Sequence, residues 1–199
     1  MIPASSQDKE TVRQAAFKRR LGFDADDRRA WSAQLTENFL QNVILPPKGS
    51  VITAYAPVNG EVDVIPLMTH LHNLGMGYRG AMPFVVEAET RLAFLEWTPE
   101  TKMIPGIYGI PQPDPATAKE LLPDFMIVPM LAFDDQCHRM GYGSGQFDRT
   151  FADLKKIHTF WTVGIAFEAQ KFDAVPVDQH DYTLDMVVSE SHVYRKQKV

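Results

Sequence analysis

Apolar positions recur along the chain with two alternating periods. Over residues 6–21, Val12, Ala16 and Leu21 fall at near-helical spacing, Ser6 stands as a cap and Gly22 as a stop; a helix is predicted. Trp31, Leu35 and Phe39 lie four apart and predict a second helix over 26–44, capped by Asp24 or Asp26 and ended by Pro46 and Pro47. SVITAYAP (50–57) is short, β-rich and apolar, the pattern of a strand buried on both faces. Asn59-Gly60 turns the chain, and Val64, Leu67, Leu71 and Leu74 restore a helical period over 61–74. Strands are predicted at 77–83 and 91–97. Residues 98–124 carry Pro99, Pro105, Pro111, Pro113, Pro115 and Pro123, and predict a long irregular loop that serves a site. DFMIVPMLAF (124–133) is the most apolar strand. A glycine-rich turn follows at 141–145, then an amphipathic helix near 147–158 and strands at 161–167 and 185–191. Strands alternating with helices predict an α/β fold with a mostly parallel sheet, in one domain spanning 1–199.

Composition narrows the function classes. The chain has 199 residues, 45% hydrophobic and 23% charged, which is ordinary for a globular protein and excludes a disordered or fibrous one. A net charge of −5 argues against a broad nucleic-acid footprint. No apolar run approaches the roughly 18–20 residues of a membrane span. The opening MIPASSQDKE has no apolar signal core, so a cytoplasmic home is expected. Cys137 is the one cysteine, which excludes an intrachain disulfide. It adjoins His138, but neighbours on a strand point to opposite faces, so a turn cysteine is expected rather than a nucleophile. His70 and His72 lie two apart on a helix and do not share a face, and the histidines make no zinc set.

The residues with candidate chemistry are scattered. Gly141-Tyr142-Gly143-Ser144-Gly145 precedes a helix, and glycines there let backbone N–H groups approach a phosphate. A plain tight turn fits the same residues. Asp148 suits a magnesium ion beside phosphates, or an acid in a helix's first turn. His180, Asp181 and Asp185 form a polar turn that offers a second carboxylate, or a solvated loop. Lys9 and Arg13, four apart, share a helix face and suit a phosphate clamp, or a solvated face; Lys18, Arg19 and Arg20 read as solvated. Glu61 suits an acceptor for heterocycle amino groups, or a helix-start acid.

In order along the chain, these segments resemble the 5-formyltetrahydrofolate cyclo-ligase (methenyltetrahydrofolate synthetase) family. Lys9-Glu10-Thr11-Val12-Arg13 is similar to its opening K-x-x-x-R, and Glu61-Val62-Asp63 to its acidic motif after the first strand. Tyr108-Gly109-Ile110-Pro111-Gln112-Pro113 resembles its aromatic-G-I-P-[EQ]-P. The stretches 128–134 and 139–149 resemble V-P-G-x-A-F-D and R-x-G-x-G-x-G-Y-Y-D. Gly164 to Gln170, Val175-Pro176 and His180-Asp181 resemble its C-terminal motifs.

The resemblance implies a three-layer α/β/α sandwich, Rossmann-like, using ATP and Mg2+ on a reduced folate, as a monomer or homodimer. It implies that 5-formyltetrahydrofolate becomes 5,10-methenyltetrahydrofolate through a phosphorylated formyl group. By resemblance Lys9, Arg13, Arg139, Gly141, Tyr142, Gly143, Ser144, Gly145, Gln146 and Phe147 bind ATP. Arg139 and Asp148 are catalytic, Asp148 and Asp181 bind the metal, and Glu61 and Tyr108 bind the pterin. The chain departs from the family pattern at Met130 and, in the loop, at Tyr142, Ser144 and Gln146. The loop departures leave a second reading, a nucleotide or folate binder with weak turnover or another substrate.

Overall fold

The computed structural model describes residues 6–87 and 90–197. Two helices open the chain, α1 (Ser6–Leu21) and α2 (Ala25–Asn42). Asp24 caps α2 by accepting from the Asp26 N–H at 2.7 Å, which ties down an otherwise unpaired donor. Then come β1 (Val51–Thr53), α3 (Ile65–Asn73), β2 (Arg79–Phe84), β3 (Ala93–Trp97), β4 (Met103–Pro105) and β5 (Pro111–Pro113). The rest comprises β6 (Phe125–Pro129), β7 (Ala132–Phe133), β8 (Arg139–Met140), α4 (Gln146–Leu154), β9 (Trp161–Ile165), β10 (Met186–Val188) and β11 (Val193–Arg195).

The main sheet has the order β11-β10-β9-β6-β1-β2-β3. The five inner strands, β10 to β2, run parallel, and β3 and β11 close the edges antiparallel. Alternation along β6 explains the layers. Phe125 and Ile127 join a core with Leu35, Phe39, Leu67 and Leu71 of α2 and α3, while Met126 and Val128 join one with Phe151 and Leu154 of α4. Helices therefore cover both faces, as a three-layer sandwich requires.

Several boundaries differ from expectation for physical reasons. The apolar run 124–133 is not one strand. It leaves the sheet after Pro129, and β7 pairs with β8 in a separate ribbon, still fully buried. Apolarity reports burial, not pairing. Likewise β1 spans only Val51–Thr53 of the predicted 50–57. Residues 61–64 remain a loop, because α3 starts at Ile65 with Pro66 in its first turn. The proline-rich stretch folds back as the β4–β5 hairpin, with Tyr108 near its tip. The edge strand β11 is too short to show in the pattern.

Helix α1 carries the largest correction. Leu21 is 52% exposed, whereas Arg20, read as solvated, is 0% exposed. Arg20 stands four residues after buried Ala16 and shares its face, while Leu21 is rotated roughly 140° from it. Cys137 is a turn cysteine as expected, with φ 64°, and burial pushes its thiol up to about 12. The neighbouring His138 ring pairs with Asp134 at 3.0 Å instead.

Candidate functional site

The chain leaves β1 through α3 to β2 on one side, while β6 lies on the other. Doubly wound sheets bind ligands outside the carboxyl ends of the strands at such a switch point. A cleft of about 880 Å³ opens there, between the β4–β5 hairpin tip, the 141–145 loop and the N-terminal half of α1. That volume falls in the range of small-molecule and cofactor sites.

The glycine loop forms one end. Gly143 and Gly145 have φ of 103° and 67°, backbone that side chains rarely adopt. A Cβ at Gly143 would stand 3.1 Å from the Arg13 guanidinium carbon, and one at Gly145 2.9 Å from Arg149. Arg13 also donates from Nε to the Gly141 carbonyl at 3.2 Å and pairs with Glu10, so it braces the loop from α1. Gly145 caps α4, whose first N–H groups and dipole face the loop.

Arg139 reaches this end from β8. Its Nη2 pairs with Asp148 at 2.8 Å, and its Nε is buried with no partner among the described residues. Gln146 Nε2 is buried and unpartnered in the same way. Buried donors left unpaired are rare in native proteins, and here both residues line the cleft. Phe147 lies under Arg139, with the guanidinium 5.6 Å from its ring centroid.

Asp148 accepts from the Tyr182 N–H at 3.2 Å, which places it beside the backbone segment that carries Asp181. Asp181 pairs with Lys9, which also bonds Asp178 at 2.7 Å. Burial works against the Lys9 charge, but the hydrogen bonds to Asp178 and Asp181 outweigh it and hold its pKa above the ordinary value. Among the described residues no group of three or more His, Cys, Asp or Glu is arranged to hold a metal. His180 points to Gln179, and Asp185 accepts from Thr162 at 2.9 Å, so neither serves the cleft.

Glu61 marks the other end, past β1. Its side chain is 5% exposed; Oε2 accepts from the Val58 N–H and Oε1 from the Tyr142 hydroxyl, both at 3.0 Å. Burial raises its pKa, against the Val58 bond and the nearby Arg20 charge. Tyr55 lines this end too, its hydroxyl donating to the Val62 carbonyl at 3.1 Å. Tyr108 is half exposed on the hairpin.

Lys9, Arg13, Glu61, Tyr108, Arg139, Asp148, Asp181 and the loop 141–147 thus line one cleft. Sequence reasoning missed Arg20 and Asp178. The signal for Arg20 was present: Lys9, Arg13, Ala16 and Arg20, spaced four, three and four, form one helical stripe.

Fold and cleft define a doubly wound α/β protein with a small-molecule site at its switch point. A model of the 5-formyltetrahydrofolate cyclo-ligase family matches residues 5–190. The Escherichia coli (strain K12) 5-formyltetrahydrofolate cyclo-ligase is 29% identical over 148 residues, covering 72% of this chain and 79% of that protein. The Haemophilus influenzae 5-formyltetrahydrofolate cyclo-ligase is 26% identical over 186 residues, 90% of this chain and 96% of that one. Among solved structures, an NMR structure of Aquifex aeolicus 5,10-methenyltetrahydrofolate synthetase superposes with a TM-score of 0.77 at 27% identity, covering 96% of this chain and 94% of that one. The chain belongs to the 5-formyltetrahydrofolate cyclo-ligase family, a family of enzymes.

Proposed function

We propose that this chain converts 5-formyltetrahydrofolate to 5,10-methenyltetrahydrofolate with ATP and magnesium. The observation that carries the reading is the polarity of the cleft. One end holds buried donors without a partner among the described residues, Arg139 Nε and Gln146 Nε2, beside a glycine loop and a helix N-terminus. The other end holds a buried carboxylate, Glu61. The first suits phosphates and the second suits the amino groups of a pterin.

The chemistry needs both ends. A formamide oxygen is a poor leaving group. It attacks the γ-phosphorus of ATP, and ADP departs. N10 of the folate then attacks the activated formyl carbon and loses its proton, and the formyl oxygen leaves as phosphate. The protein positions the reactants and neutralises phosphate charge. In this reading Lys9, Arg139 and the N–H groups of 141–147 hold the phosphates, and Arg13 keeps the loop in place. Glu61 accepts from the pterin, and Tyr108 stacks on it. The carboxylate oxygens of Asp148 and Asp181 suit magnesium, which favours one or two carboxylates together with phosphates. Bound there, the ion would neutralise phosphate charge.

The test is absorbance of methenyltetrahydrofolate formed with and without ATP and magnesium. Product that requires both supports the proposal; no product from a chain that still binds ATP favours the second reading. The loop supplies a specific reason for that second reading, since Tyr142 occupies Glu61 Oε1. The metal assignment has its own check. Asp148→Asn should raise the magnesium concentration needed for half-maximal ATP binding, and an unchanged requirement would remove Asp148 from the metal site.

A further inference from the structure

Arg20 stands in the last turn of α1, fully buried, yet it lies beside both ends of the cleft. Its Nε donates to the Asn59 carbonyl at 3.0 Å, in the loop that carries Glu61. Its Nη1 donates to the Met130 carbonyl at 3.2 Å, just past β6, and stands 3.7 Å from Glu61 Oε1. Its Nη2 donates to the Tyr142 hydroxyl, and its guanidinium lies 5.3 Å from the Tyr142 ring centroid. Tyr142 in turn donates to Glu61 Oε1 at 3.0 Å. Arg20, Tyr142 and Glu61 therefore form a closed triangle that ties the phosphate loop to the carboxylate at the opposite end.

The triangle has a chemical consequence. The hydroxyl of Tyr142 has one proton, and it is committed to Glu61 because Arg20 is a donor only. A ligand amino group that hydrogen-bonds Glu61 Oε1 competes with or shares that bond. A ligand that displaces the Tyr142 hydroxyl from Oε1 would shift Tyr142 while Arg20 still holds its oxygen, and Tyr142 is flanked by Gly141 and by Gly143, whose φ is 103°. Resting on the functional reading above, we propose that Arg20 is a positioning residue that couples the two ligand subsites through Tyr142 and Glu61. Folate occupancy at Glu61 resets the loop that receives ATP, and nucleotide occupancy of the loop resets the acceptor that receives folate. Linkage makes the effect reciprocal.

Calorimetric titration tests this. A non-hydrolysable ATP analogue is titrated into the full chain with and without saturating 5-formyltetrahydrofolate, in wild type, Tyr142→Phe and Arg20→Lys. The ratio of the two dissociation constants is the coupling factor, which is independent of either affinity alone. A merely structural loss does not move it in a chain that remains folded. The expected wild-type factor is about fivefold or more, the usual range for coupled sites. It should collapse toward one in both variants. A wild-type factor of one, or an undiminished factor in either folded variant, overturns the proposal. Should Arg20→Lys fail to fold, the half-buried Tyr142→Phe decides alone. A wild type that binds neither ligand overturns the functional reading as well, and is distinct from independent binding of both.

Discussion

Two buried arginines stand at one cleft, Arg139 lining it and Arg20 behind its liners Tyr142 and Glu61, and their surroundings differ. Each nitrogen of Arg20 has an oxygen partner, on Asn59, Met130 or Tyr142. Arg139 is 9% exposed; its Nη2 pairs with Asp148, but its Nε has no partner among the described residues, and nor does the adjacent Gln146 Nε2. An unpaired buried donor costs about 1–3 kcal/mol, so the Arg139 end is less comfortable than the chain needs for folding alone. The Arg20 end is closed and holds shape. The Arg139 end is unfinished in a way that an anion would complete.

Substitutions at each end should break that contrast differently. Arg20→Met is expected to have the largest effect. It leaves the 5%-exposed Glu61 carboxylate without its nearby cation, and removing one partner of a buried pair typically costs about 3–5 kcal/mol. Urea unfolding measures it, and a loss of less than about 1 kcal/mol would show that Arg20 does not hold the fold. Arg139→Met should instead cost mostly binding. One charge-assisted hydrogen bond is worth roughly 1.5–3 kcal/mol, or about 10–100-fold in ATP affinity. Equal destabilisation in the two variants would erase the distinction between them.

Gln146→Leu sharpens the comparison further. It removes a buried donor that has no partner among the described residues, so melting temperature should hold or rise slightly. ATP should bind about 2–10-fold more weakly, the worth of one neutral hydrogen bond. A variant that melts lower while binding ATP as well as wild type would place Gln146 with the structural residues. The smallest effect concerns pH. Burial holds the Glu61 carboxyl above its ordinary value in the folded chain. Such an acid binds its proton more readily folded than unfolded, so its contribution to stability falls as pH rises from the ordinary carboxylate range through the raised folded value. Acidification through that window restores it. The stability difference between wild type and Glu61→Gln should therefore decline with rising pH, and a flat difference would mean that Glu61 titrates normally.

Much of the layout was legible in the residues. The four-residue spacing of Trp31, Leu35 and Phe39 predicts α2, and Leu35 and Phe39 are buried on it. Glycines at 141, 143 and 145 mark a loop that only backbone of unusual φ builds, because two of them adopt positive φ. The boundaries of β1 and β6 were less legible, since Ala54, Tyr55, Met130 and Leu131 stay buried after their strands end.

The sequence by itself determined the α/β alternation and the glycine loop. Those follow from local rules: helical and strand periods, turn chemistry, and the backbone freedom of glycine. Only the tertiary structure decided that Arg20 is a buried tie rather than a solvated charge. Its partners Asn59, Met130 and Tyr142 lie 39, 110 and 122 residues further along the chain. Whether a charged side chain is buried or solvated depends on partners that meet it only once the sheet has assembled, since burial without them would be prohibitive.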